Sequence, residues 1–80
     1  MIQIHFYELG ECAQFKYIKD WPNWTGEVPK RGDIVRLHFG DKNEEEVRYR
    51  VINREIDGTK PNNLRINVCK VIGFNRYGND

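Results

Sequence analysis

Serine is absent from this 80-residue chain, which removes serine nucleophiles and the triads built on them. Cysteine occurs only at Cys12 and Cys69, far apart and without the CxxC spacing of a zinc or redox motif. In a reducing compartment the pair reads as two small thiols on strands. An excess of either charge is also missing: 13 basic against 12 acidic residues leave a net charge of +1. Without a global electropositive field, any nucleic-acid role must rest on local segregation of charge. No apolar run approaches the ~20 residues that span a bilayer. The N-terminal "MIQIHFYELG" lacks the basic start and long apolar region of a signal peptide, so no membrane association and a cytoplasmic location are expected. Nucleotide-cradling glycine motifs are missing. His5 and His38 form no HxH or HxxxH pair, and "DKNEEE" lacks the central glycine and alternating spacing of a calcium loop. No cofactor and no metal are therefore expected.

What remains is alternation, with no sustained helical period. "IQIHFYEL" sets Ile2, Ile4 and Phe6 on one face and Gln3, His5 and Tyr7 on the other. Gly10 and Glu11 then have the chemistry of a two-residue type II′ hairpin. That turn would oppose Leu9 to Cys12, Phe6 to Phe15, Ile4 to Tyr17 and His5 to Lys16. "DWPNWTGEVPKRGD" breaks the pattern with Pro22, Gly26, Pro29 and Gly32, and reads as a long loop ending in a tight turn. "DIVRLHF" places Val35, Leu37 and Phe39 on one face, opposite Arg36 and His38. "EVRYRVINRE" places Val47, Tyr49 and Val51 on one face and Arg48 and Arg50 on the other. After Val51 the phase slips, so that Ile52, Arg54 and Ile56 share a parity, as at a β-bulge. "LRINVCKVI" supplies a last strand with Leu64, Ile66 and Val68 inward.

Five short strands with no helix predict an all-β fold: a five-stranded, highly bent antiparallel sheet closing into a small barrel. The piece "PKRGDIVRLHFG" resembles the opening strand of SH3-like barrels, including KOW and Tudor-type modules, where a Gly-Asp pair precedes a strand of alternating apolar residues. The resemblance implies an SH3-like barrel and carries over no functional residue. One domain over residues 1–73 and a loosely ordered tail over residues 74–80 are expected.

A thiol–imidazole pair of Cys12 and His5 would need a sheltered, activated thiolate. The hairpin instead turns His5 outward and leaves Cys12 beyond the glycine, so a non-catalytic module is expected. "RGD" at residues 31–33 and "NWT" at residues 23–25 have meaning only in an extracellular chain. Two binding surfaces stand out. Trp21 and Trp24, stiffened by prolines, suit a protein interface, with an exposed sheet edge for a partner or a second copy of the chain. Alternatively, Arg36, His38, Arg48 and Arg50 share outward parity on neighbouring strands. Lys30, Arg31 and Arg65 would stand at the edges of that row, with Tyr7 or a Trp to stack on bases. This would make a nucleic-acid surface, because guanidinium forks fit phosphate oxygens. Against it, outward strand positions are commonly charged to block edge pairing, and the glutamates at 44–46 lie near enough to neutralise the row.

Overall fold

In the computed structural model, which describes residues 1–71, the alternating segments form five strands: β1 (Ile2–Leu9), β2 (Phe15–Trp24), β3 (Ile34–Phe39), β4 (Glu45–Ile56) and β5 (Asn63–Lys70). The tail expected over residues 74–80 lies outside the described residues, as do the last two positions of the expected domain. A single tight turn of 3-10 character at Glu11–Ala13 is the one helical element among the described residues. None of these residues forms a helix long and apolar enough to cross a membrane.

One sheet holds all five strands, in the order β2-β1-β5-β4-β3. It consists of the β1/β2 hairpin and the β3/β4/β5 meander, joined where β1 and β5 run side by side from Gln3↔Asn63 to Glu8↔Val68. That central pairing is parallel, so the sheet is mixed and the wholly antiparallel arrangement expected from the sequence is corrected. The hairpin occupies one edge of β1, and the strand that takes the other edge arrives in the same direction. Residues 10–62 serve as the long crossover that parallel neighbours require. The sheet curls into an open half-barrel. β2 and β3, the two ends of the strand order, share no ladder among the described residues.

The inner face is the set that alternation picks out. Ile4, Phe6, Leu37, Ile66 and Val68 are fully buried, with Tyr49, Val51 and Leu64 nearly so. Ile2, Val35, Phe39 and Val47 pack around them half-buried. Each buried side chain contributes roughly 1.5–3 kcal/mol of transfer free energy, against the chain entropy lost on folding. The phase slip after Val51 is also present: Val51 pairs with Val68 and Asn53 with Asn67, leaving Ile52 as the extra residue of a bulge. Beyond it the core ends, and Ile56 is 74% exposed.

The hairpin differs from its expected form. Leu9 opposes Phe15 and Tyr7 opposes Tyr17, across a three-residue loop in which Cys12 and Ala13 hold left-handed backbone (φ 59° and 58°). The backbone N–H of Gly10 donates to the carbonyl of Gln14 at 2.7 Å and closes the loop. Relative to the two-residue turn, β2 has slid by three positions. An odd shift exchanges the faces of a strand. Phe15 and Tyr17 therefore stand on the outer face, not opposite Phe6 and Ile4. A bulge at Ile18 then restores the phase, so that Phe6 opposes Lys19, His5 opposes Asp20 and Ile4 opposes Trp21. Cys12 consequently sits exposed in the turn and not on a strand; it and the half-buried Cys69 are both free thiols.

The tryptophan segment is corrected too. β2 continues through Pro22 to Trp24, and the loop is confined to residues 25–33. Proline is tolerated because β2 is an edge strand, where a missing N–H deprives no neighbour. A second irregularity at Asn23 (φ 59°) bends the strand there. The turn before β3 is as expected: Asp33 accepts the Lys30 N–H at 2.9 Å and returns its own N–H to the Lys30 carbonyl, with Gly32 at φ 93°.

Candidate functional site

Curling brings the two unpaired edges, β2 and β3, to face one another across a seam. Lys19 spans it: its ammonium donates to the His38 carbonyl and lies 5.3 Å from the centre of the Phe39 ring. Phe39 in turn meets Tyr49 edge to face at 6.5 Å. Tyr49 is nearly buried, and burial pushes its hydroxyl up to about 12. The negative charge and hydrogen bond of Glu8, and the charge of Glu45, add to that shift. One side chain of the edge strand thus tethers the open side of the half-barrel to the core.

Trp21 and Trp24 occupy the same seam, packed edge to face at 4.7 Å. Their positions are unequal. Trp24 is half-buried, and its indole N–H donates to the Glu27 carbonyl at 3.3 Å, so it fastens the 25–33 loop to the end of β2. Trp21 is 41% exposed, and its indole N–H has no acceptor among the described residues. Two clefts flank it. One, of about 540 Å³, lies between Lys19, Trp21, Pro22, His38 and Asn43. The other, of about 360 Å³, is floored by Phe6 and walled by Trp21, Trp24, Val35, Arg36 and His38. Aromatic faces, a few donors and two unpaired strand edges therefore meet at this seam, and free strand edges are groups that can in general form main-chain hydrogen bonds with an extended segment.

The four residues of the basic row also come together. Arg36 lies directly opposite Arg48, and His38 opposite Glu46, on β3 and β4. Glu46 lies between His38 and Arg48 at ion-pair distance, with His38 Nε2 3.8 Å from one carboxylate oxygen and Arg48 Nε 3.9 Å from the other. The acidic run therefore does engage the row, at Glu46. Arg36 and Arg50 form no ion pair among the described residues. Arg50 stands between Ile34 and Cys69. Arg65 is four positions further along β5 from Cys69, about 13 Å away at strand spacing, so it does not extend the row. Lys30 is turned to Glu27 at 3.9 Å.

The sequence pointed to Trp21, Trp24, Arg36 and His38 but to two separate surfaces, a loop and a strand face. Curvature merges them at one seam. Lys19 and Phe39 were not anticipated as site residues. Only the bulge at Ile18 turns Lys19 toward β3, and no local pattern marks that bulge. No family model, curated protein or solved structure matches this chain.

Proposed function

We propose that this chain is a small, non-catalytic binding module whose β2–β3 seam accepts an extended segment of a protein, either a partner or a second copy of the chain, with Trp21 as the anchor. The observation that carries the reading is the contrast between the two tryptophans. Trp24 has its N–H satisfied within the chain, whereas Trp21 keeps its N–H and much of its ring for a ligand. An added strand would occupy both free edges and complete the closure of an SH3-like barrel. A rigid aromatic beside a proline loses little freedom on binding, which favours it as an interface anchor.

The second reading, nucleic-acid binding by Arg36, His38, Arg48 and Arg50, draws on the juxtaposition of Arg36 with Arg48. Like charges directly opposite on a sheet repel, and a phosphate between them would relieve that repulsion. One experiment separates the two. Ten-residue peptides selected from a random displayed library are titrated against tryptophan emission, beside sedimentation of the chain alone and a titration with mixed-sequence oligonucleotides. Peptide binding or self-association that Trp21→Ala weakens at least tenfold supports the seam. Absence of both, with salt-dependent oligonucleotide binding whose slope falls in Arg36→Ala, replaces it with the second reading.

A further inference from the structure

On the outer face, away from the seam, β1, β5 and β4 carry a second organised cluster. Its centre is Asn67, which is fully buried although it projects from the side of β5 opposite the core. Both polar atoms of its amide are engaged. The oxygen accepts from Arg65 Nε at 2.9 Å, and the two N–H groups donate to Asn53 Oδ1 at 2.7 Å and Glu55 Oε2 at 2.9 Å. Arg65 is thereby fixed at one nitrogen, and its guanidinium carbon lies 3.8 Å from the centre of the Tyr7 ring and 5.6 Å from that of Phe15. The terminal nitrogens of that guanidinium have no partner among the described residues. An arginine held by a buried amide and close over a ring has already lost much of the freedom that ligand binding would otherwise cost.

The surroundings are asymmetric in what they leave unused. Arg65, Tyr7, His5, Lys60 and Glu55 border a cleft of about 330 Å³, near the lower end of the range for small-molecule sites. Two carboxylates, Glu55 and Asp57, also line it, each hydrogen-bonded within the chain and still charged. Glu55 accepts from Asn67, and Asp57 accepts the backbone N–H and hydroxyl of Thr59 at 2.8 and 2.7 Å. Asp20, behind His5, accepts from His5 Nδ1 at 2.6 Å. Arg65 and Lys60, by contrast, form no salt bridge among the described residues. The remaining wall holds Asn63, the exposed Ile56 and Leu64. The cleft therefore combines a preorganised fork of donors and a second cation with two hydrogen-bonded carboxylates, Asn63 and a small apolar strip.

We propose that this cleft binds a nucleotide through its phosphate, which Arg65 and Lys60 take, with the base and sugar lying at the mouth of the cleft beside the exposed Ile56. The geometry would serve a free mononucleotide or one residue of a single strand, and it is independent of the β2–β3 seam. The test follows the Arg65 Nε–H and His5 ring signals by NMR, with adenosine monophosphate, adenosine and an eight-nucleotide oligodeoxyadenylate as probes. Adenosine monophosphate is expected to shift both signals saturably, with adenosine at least tenfold weaker. Tighter binding of the oligomer, counted per site, identifies a single strand as the source; weaker binding identifies the free nucleotide. Arg65→Gln should lower affinity at least tenfold with the circular dichroism spectrum unchanged. Lys60→Gln, on an exposed turn, should lower it about threefold by loss of one phosphate contact, and Trp21→Ala should leave it unaltered. The assignment is overturned if neither phosphate ligand shifts these signals, if adenosine binds as well as its phosphate, or if Lys60→Gln binds like the parent chain.

Discussion

Tyr49 lies 4% exposed against Phe39, with the Glu8 carboxylate beside its hydroxyl. Burial and that negative charge both favour the protonated phenol, and its folded value of about 12 stands above the ordinary 10. A raised value means that the folded state holds the proton longer. The associated stability is intact below pH ~10 and is lost as the pH climbs through about 12. Tyr49→Phe removes this dependence. Urea midpoints at pH 9 and pH 11 should show the parent losing about 1 kcal/mol more than the variant over that interval. At pH 7 the variant should be less stable by about 1 kcal/mol, the net worth of one hydrogen bond. The placement of Tyr49 in the core was legible, because it alternates with Val47 and Val51. Its link to Glu8 was not, since it depends on which strands lie next to one another. Asn67 was illegible for a related reason: a lone asparagine at an outward position reads as solvated until Asn53, Glu55 and Arg65 are brought around it.

Among the elements, the β1/β2 turn shows how much depends on loop length. By its chemistry, Gly10 suits the first corner of a two-residue turn. The chain instead places left-handed backbone at Cys12 and Ala13, neither of which is a usual occupant of that region. Asn23 and Asn43 adopt the same region with a side chain that tolerates it. Left-handed geometry costs an alanine about 1–2 kcal/mol, and glycine surrenders roughly 0.5–1 kcal/mol of extra chain entropy. Ala13→Gly should therefore stabilise the protein by about 0.5–1 kcal/mol and raise the melting temperature by roughly 4 °C. A fall in melting temperature in scanning calorimetry would contradict this account of the turn. Loop length sets the faces of β2, because the three-residue loop sends Phe15 and Tyr17 outward. The edge position of β2 was hidden in the sequence. Pro22 signals a break when its neighbours are unknown and an ordinary residue once its side of the strand is known to be free.

At the scale of the molecule, alternation identified the inner face of each strand but not its neighbours, and the parallel pairing of β1 with β5 left no local trace. That pairing puts both strands in the middle of the sheet, each flanked on two sides. Native-state hydrogen exchange should reflect this. Amides of β1 and β5 in the shared ladder are expected to exchange slowest, and those on the free edges of β2 and β3 fastest among the strands; equal protection of β3 and β5 would contradict this strand order. The same central ladder governs how the chain assembles. The β1/β2 hairpin and the β3/β4/β5 meander each close over short loops, whereas Gln3 meets Asn63 only by closing a loop of about 60 residues, an entropic cost of roughly 3–4 kcal/mol. On a ribosome, the hairpin emerges first with one edge of β1 bare, and it must wait for nearly all the remaining strands before that edge is covered. The ladder that joins the two halves of the finished sheet is thus among the last available to a chain being synthesised, and an uncovered β1 edge is its period of greatest exposure to wrong partners.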